Sequence, residues 1–149
     1  MIKYYHNFLS NLECDYFIDI FNNESMNYYG DNVYKFYYTD LINRNLDIEK
    51  FSNFNFKKFR IQMLNETINQ IELAHKHDNP WSFIIFLNEN FEGGEVIFEG
   101  VEYKPKKGDM IYFSGEEYHR VNNCVGDRYT LVGFMSNNPL TVKTLKDLI

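Results

Sequence analysis

Apolar residues in this chain recur first at helical spacing and then, for most of its length, at strand spacing. Ile2 to Tyr5 is a short apolar run that predicts a first strand. Ser10-Asn11-Leu12-Glu13 follows as a capping box, in which the serine hydroxyl accepts from the Glu13 amide and the Glu13 side chain returns to the cap. Leu12, Phe17, Ile18 and Phe21 then fall at helical spacing. They predict an amphipathic helix over 11–22, packed on a sheet and ended by Asn22-Asn23. Between 24 and 58 the pattern weakens. MNYYGDNVYKFYYTDLI sets a Gly-Asp turn between tyrosine-rich stretches and suggests a hairpin, and Asp40 to Phe56 reads as a second helix with a loop.

From Phe59 the rhythm is that of strands. FRIQML is one, and INQIELAHKH is another, with Ile71, Leu73, His75 and His77 on one face by the period of two. Asp78-Asn79-Pro80 turns the chain. Ser82 to Leu87 is apolar on both faces, as in a strand covered on both sides. Asn88 to Gly94 is a loop whose Gly-Gly pair suits a tight turn with positive φ. Strands are predicted at Glu95 to Phe98, Val101 to Lys104 and Asp109 to Phe113, separated by turns at Glu99-Gly100 and Pro105 to Gly108. After the Ser114-Gly115 turn His119 opens the next strand. A turn at Val125 to Asp127 leads to a last strand, Arg128 to Met135, and a tail helix over Leu140 to Ile149. Many short strands at regular spacing indicate a sandwich or barrel.

Length and composition narrow the class. The 149 residues make one domain, 1–149, long enough to bury a single core. Fourteen Phe and 12 Tyr predict that this core is aromatic. Net charge is -6 and the 15 basic residues form no block, so no nucleic-acid partner is expected. Two cysteines, Cys14 and Cys124, are too few for a disulfide framework and suit a reducing compartment, with Cys124 read as a buried thiol. No run reaches membrane-spanning length and the N-terminus lacks the apolar core of a signal peptide. The expectation is a cytoplasmic protein with no membrane partner.

The candidate chemistry lies between His75 and Thr130. Two histidines at i and i+2 on a strand point the same way, and His119 can meet them from an opposing strand. Neutral imidazoles so gathered are ligands for iron, zinc, copper or nickel. A His-x-His pair taken alone more often binds nothing, so the surrounding pattern decides.

That pattern is FLNENFEGGEVIF, then YKPKKGDMIYF, HRV and GDRYTLVGF. It resembles the prolyl-4-hydroxylase-like branch of the Fe(II)/2-oxoglutarate-dependent dioxygenases, which shows a leucine-asparagine strand end, a Gly-Gly turn, a Pro-x-x-Gly turn, a distal histidine and a Gly-x-Arg. NFLSNLECDYFIDIF resembles the N-terminal strand-helix unit of that branch. The similarity covers residues 5–23 and about 60–135. It implies a mainly β (α+β) fold, a double-stranded β-helix or jelly roll with N-terminal helix or helices packed on one sheet. It implies Fe(II), with 2-oxoglutarate as cosubstrate, and hydroxylation of a C–H bond in a peptidyl (prolyl) or small-molecule substrate. Residues 24–56 are the candidate for a segment that closes over that substrate.

Carried over residue by residue, His75 is the first metal ligand and His119 the distal one. The family's His-x-Asp is where this sequence departs, because His77 holds the x+2 position and Asp78 follows one residue late. Strand alternation favours His77 as third ligand. Iron chemistry favours Asp78, whose carboxylate offsets the metal charge and which a bulge at His77 would turn inward. Arg128 follows His119 by nine residues, close to the family's spacing, and offers two parallel hydrogen bonds to the far carboxylate of 2-oxoglutarate. Thr130, at i+2, faces the same acid. The tyrosine that the family often adds to this pocket has no counterpart in RIQMLNET. Trp81, beside the metal turn, either lines the substrate entrance or caps the barrel. Two other readings stay open: a three-histidine cupin-like dioxygenase that does not use 2-oxoglutarate, and a jelly-roll binding module without catalysis.

Overall fold

The computed structural model describes residues 2–23, 33–36, 56–64 and 81–135. The capping box forms: Ser10 Oγ accepts from the Glu13 amide at 3.1 Å, and a Glu13 carboxylate oxygen accepts from the Ser10 amide at 2.8 Å. It opens α1 (Asn11–Asn23), which buries Cys14, Phe17, Ile20 and Phe21. Leu12 departs from expectation and is 82% exposed. At 100° per residue it lies about 140° around the helix from Phe17, off the buried stripe.

Eleven strands are described: β1 (Ile2–Tyr5), β2 (Val33–Phe36), β3 (Phe56–Leu64), β4 (Trp81–Phe86), β5 (Glu92–Gly93), β6 (Val96–Phe98), β7 (Val101–Tyr103), β8 (Met110–Ser114), β9 (His119–Val121), β10 (Cys124–Val125) and β11 (Arg128–Met135). A six-stranded sheet runs in the order β1-β8-β4-β11-β3-β2, with every pairing antiparallel. A three-stranded sheet, β7-β6-β9, and a two-stranded one, β10-β5, supply the second layer. This is the expected jelly roll with a helix on one sheet.

Every residue of β4 is buried, because the large sheet is covered on both faces. Phe83, Ile85, Leu87, Met110, Tyr112, Leu131 and Ile61 meet Cys14, Phe17, Ile20 and Phe21 of α1 on the outer face. Gly133 makes room there, since a Cβ at that position would collide with the Phe83 ring. On the inner face, Ile84, Phe86, Ile111, Phe113 and Val132 meet Val96 and Phe98 of the small sheet, with Phe91 and Cys124. Both cores are aromatic, as composition implied, and both cysteines are buried.

Most strand limits fall within a residue or two of the sequence pattern. Asp109, expected to open β8, belongs instead to the turn before it. Its carboxylate accepts from the Tyr4 hydroxyl at 2.5 Å, the Asn7 amide at 2.9 Å and the Lys106 amide at 3.2 Å. The loop from Asn88 to Gly94 contains β5, which pairs with β10. In the tyrosine-rich stretch, β2 pairs with β3. The Gly30-Asp31 turn, the strand through His75 and His77, the turn at 78–80 and the tail helix lie outside the described residues, as does the element over 40–56 but for Phe56, which opens β3. Among the described residues no helix is long and apolar enough to cross a membrane.

Candidate active site

Strand alternation along β11 sends Arg128, Thr130, Val132 and Phe134 to the inner face, and Tyr129, Leu131 and Gly133 to the helix side. Arg128 and Thr130 are buried to 2% and 1% exposure. A guanidinium at that depth needs fixed partners. Arg128 Nε donates to the Gly94 carbonyl at 3.0 Å, and the guanidinium carbon lies 4.6 Å from the centre of the Phe86 ring. Gly94 can approach because it is a glycine. Its φ is +73°, and a Cβ there would stand 2.8 Å from Arg128 Cδ and 2.9 Å from Phe91 Cε2.

The backbone of Arg128 is held as closely. Asn88 Nδ2 donates to the Asp127 carbonyl at 2.8 Å, and Asn88 Oδ1 accepts from the Tyr129 amide at 2.9 Å. On the far side of β11, Thr130 is directly opposite Gln62 of β3, and Val132 is opposite Arg60. The Arg60 guanidinium lies over the Phe134 ring at 5.2 Å.

His119 opens β9 opposite Phe98 of β6 and is buried to 3% exposure. Its ring packs on Phe113 at 4.9 Å and on Phe98 at 5.4 Å between centroids. Nδ1 lies 3.3 Å from the Glu117 carbonyl oxygen. A carbonyl only accepts, so Nδ1 carries the proton and Nε2 carries the lone pair that a metal requires. This arrangement fits a histidine ligand whose other nitrogen is pinned.

Phe113 pairs with Ser82, which pairs with Phe134. His119 therefore sits at the Phe134 end of the inner face and Arg128 at the opposite end of the same row. Ile84, Phe86, Ile111 and Val132 form the wall between them. The guanidinium at one end suits a carboxylate, and the nitrogen donor at the other suits a metal.

His119, Arg128 and Thr130 thus face one interior. His75, His77 and Asp78 lie outside the described residues, and among the described residues no three His, Cys, Asp or Glu side chains cluster. Trp81 does not face this interior. It is buried among the residues of the helix side, stacked on Tyr112 at 4.9 Å between centroids and 12° between planes. A substrate contact there finds no support in the geometry. Sequence reasoning passed over Arg60 and Gln62, read Asn88 as a strand end alone, and read Gly94 as a turn residue alone. The one available signal was a polar Asn88 directly after a strand apolar on both faces.

The fold has wide company. A viral collagen prolyl hydroxylase from Paramecium Bursaria Chlorella virus-1 is 18% identical, with 89% of this chain and 87% of that chain covered and a TM-score of 0.66. A Pseudomonas putida prolyl-4-hydroxylase is 15% identical, with 91% and 92% covered and a TM-score of 0.67. NgTET1, solved in complex with 5mC DNA, is 17% identical, with 94% and 74% covered and a TM-score of 0.65. At these identities the likeness is one of fold. No curated protein matches in sequence. The model of the 2OG-Fe(II) oxygenase superfamily matches residues 61–136, just over half of the chain, and that stretch holds His119, Arg128, Thr130 and the strands around them. The chain belongs to the 2OG-Fe(II) oxygenase superfamily, whose members use Fe(II) and 2-oxoglutarate.

Proposed function

We propose that this oxygenase hydroxylates an unactivated C–H bond of a peptidyl substrate, a prolyl residue being the first form to test and a small molecule the second. His75, Asp78 and His119 are the proposed iron ligands, with His77 the alternative to Asp78. Arg128 and Thr130 are the proposed partners of the distal carboxylate of 2-oxoglutarate. The observation that carries this reading is one buried inner face, to which β11 contributes Arg128 and Thr130 and β9 contributes His119.

Iron with 2-oxoglutarate supplies the oxidising power, and the cosubstrate leaves as succinate and carbon dioxide. The chain supplies position. The Glu117 carbonyl keeps the proton of His119 on Nδ1, and Phe98 and Phe113 hold the ring. Gly94 and Phe86 hold the Arg128 guanidinium, a planar group whose fork of N–H donors matches a carboxylate. Two histidines and a carboxylate are the donor set of non-haem Fe(II) oxygenases, which favours Asp78 over His77. The prolyl reading draws on the two hydroxylases among the fold neighbours. A net charge of -6 weighs against a phosphate-backbone substrate.

The test is turnover with Fe(II), 2-oxoglutarate and isotopically labelled dioxygen on proline-containing peptides and on free amino acids. Succinate release matched by one labelled oxygen in the peptide supports the prolyl form. Label in an amino acid alone transfers the reading to small molecules. Succinate without labelled product from any of them rules out both substrate classes as tested. Loss of metal in Asp78→Ala but not in His77→Ala assigns the third ligand, and the reverse result assigns it to His77.

A further inference from the structure

Asn88 stands where β4 leaves the large sheet, yet its side chain continues the ladder. The Leu87 amide makes the last regular bond, to the Tyr129 carbonyl at 2.9 Å. One residue on, the Asn88 carboxamide takes over. Its oxygen accepts from the Tyr129 amide, and its nitrogen donates to the Asp127 carbonyl and to Asn90 Oδ1, the last at 2.7 Å. The two peptide groups it grips are those on either side of Arg128. The loop that starts at Asn88 ends at Gly94, whose carbonyl receives Arg128 Nε. One loop therefore holds the arginine twice, by its backbone at one end and by its guanidinium at the other.

Both grips are specific in shape. Asn88 is 9% exposed, and its carboxamide has donor and acceptor on the sides that the two peptide groups require. Aspartate keeps the acceptor but sets an oxygen against the Asp127 carbonyl, and alanine removes both. Neither replacement reaches the inner face where His119 lies.

We propose that Asn88 is a positioning residue for 2-oxoglutarate: through the peptide groups flanking Arg128 it fixes where the guanidinium sits, and so sets affinity for the cosubstrate without touching it. This rests on the assignment of Arg128 to the distal carboxylate. Partners one layer out from a metal ligand typically change metal affinity or activity ten- to a hundredfold when removed, and Asn88 stands in the same relation to Arg128. A loss of about that size is expected for 2-oxoglutarate, with metal affinity unchanged.

The experiment is calorimetric titration of 2-oxoglutarate into Mn(II)-loaded protein, with Mn(II) affinity and melting temperature measured alongside. The variants are Asn88→Ala, Asn88→Asp, Arg128→Ala and the Asn88→Ala/Arg128→Ala pair. Weakened 2-oxoglutarate binding in Asn88→Ala, unchanged Mn(II) affinity, and a double variant no weaker than Arg128→Ala alone support the proposal, because a residue acting through Arg128 has nothing left to act on. Should Asn88→Ala fail to fold, Asn88→Asp carries the same comparison. Full 2-oxoglutarate affinity in a folded Asn88 variant overturns the proposal alone, as do additive losses in the pair or an equal loss of Mn(II) binding. Full affinity in Arg128→Ala overturns the arginine assignment and the proposal with it.

Discussion

At the scale of the residue, two phenols on the helix side of the large sheet are in tension with their surroundings. The hydroxyls of Tyr5 and Tyr112 are buried with no hydrogen-bond partner among the described residues. Burial raises the pKa of both, and for Tyr112 the nearby Tyr5 adds to the rise. The rings pack well, with Tyr112 lying flat on Trp81. Removing only the hydroxyl should therefore help. Tyr112→Phe is expected to raise stability by about 1–3 kcal/mol in urea unfolding, and a loss of stability would reveal a partner for the oxygen. Because both pKa values are raised, their neutral forms favour the fold below about pH 10, the ordinary tyrosine value, and that contribution fades as pH climbs through the folded values.

The same scale shows what a single chain discloses about a site. His119 and Arg128 were singled out by the family resemblance, and Thr130 by the period of two that puts it on the face of Arg128. The face of Trp81 was not legible, because β4 is apolar on both faces and has no alternation to say which side each residue takes. Asn88 was legible as a strand end, but its role depends on the register between β4 and β11, 41 residues apart at the Tyr129 bond.

At the scale of the element, α1 and the β8 turn make a contrast. The helix start was readable because its capping box is local, three residues from donor to acceptor. The start of β8 was not, because the partners that draw Asp109 into the turn lie 102 and 105 residues away, at Asn7 and Tyr4. That carboxylate ties β1 to the turn, with His6 Nδ1 a further 3.4 Å contact. Burial by itself raises the Asp109 pKa, but the bonds from Tyr4, Asn7 and Lys106 and the charge of His6 outweigh it and leave the value lowered. A lowered carboxyl pKa stabilises the fold above its unfolded value, near pH 4, and that stabilisation is lost as pH falls through the folded value. Asp109→Asn sets an amide against donors and should cost about 1.5–3 kcal/mol at neutral pH. Its stability should also fall less steeply from pH 5 to 3 than that of the parent. An unchanged acid slope would show that Asp109 does not govern it. On α1, Phe17→Ala should cost about 3–5 kcal/mol and the exposed Leu12→Ala less than about 0.5, both read from denaturant midpoints.

At the scale of the whole molecule, two sheets enclose an aromatic interior with the site at its ends, while the helix closes a separate core behind the larger sheet. Strand periodicity pointed to a sandwich or barrel. The jelly roll came from the family resemblance, and its strand order, with β11 between β3 and β4, from the structure alone, since pairing between distant strands leaves no trace in local pattern. The third metal ligand is the point at which alternation and iron chemistry gave different answers, His77 and Asp78.

The central claim is that this interior holds iron and 2-oxoglutarate together, and anaerobic titration of the purified apoprotein with Fe(II) and 2-oxoglutarate tests it most directly. A saturable visible charge-transfer band is expected, weakened in Arg128→Ala and absent in His119→Ala. Iron binding without the band would contradict the 2-oxoglutarate assignment and favour a three-histidine dioxygenase. A folded protein that binds no iron would contradict both and leave a jelly-roll binding module.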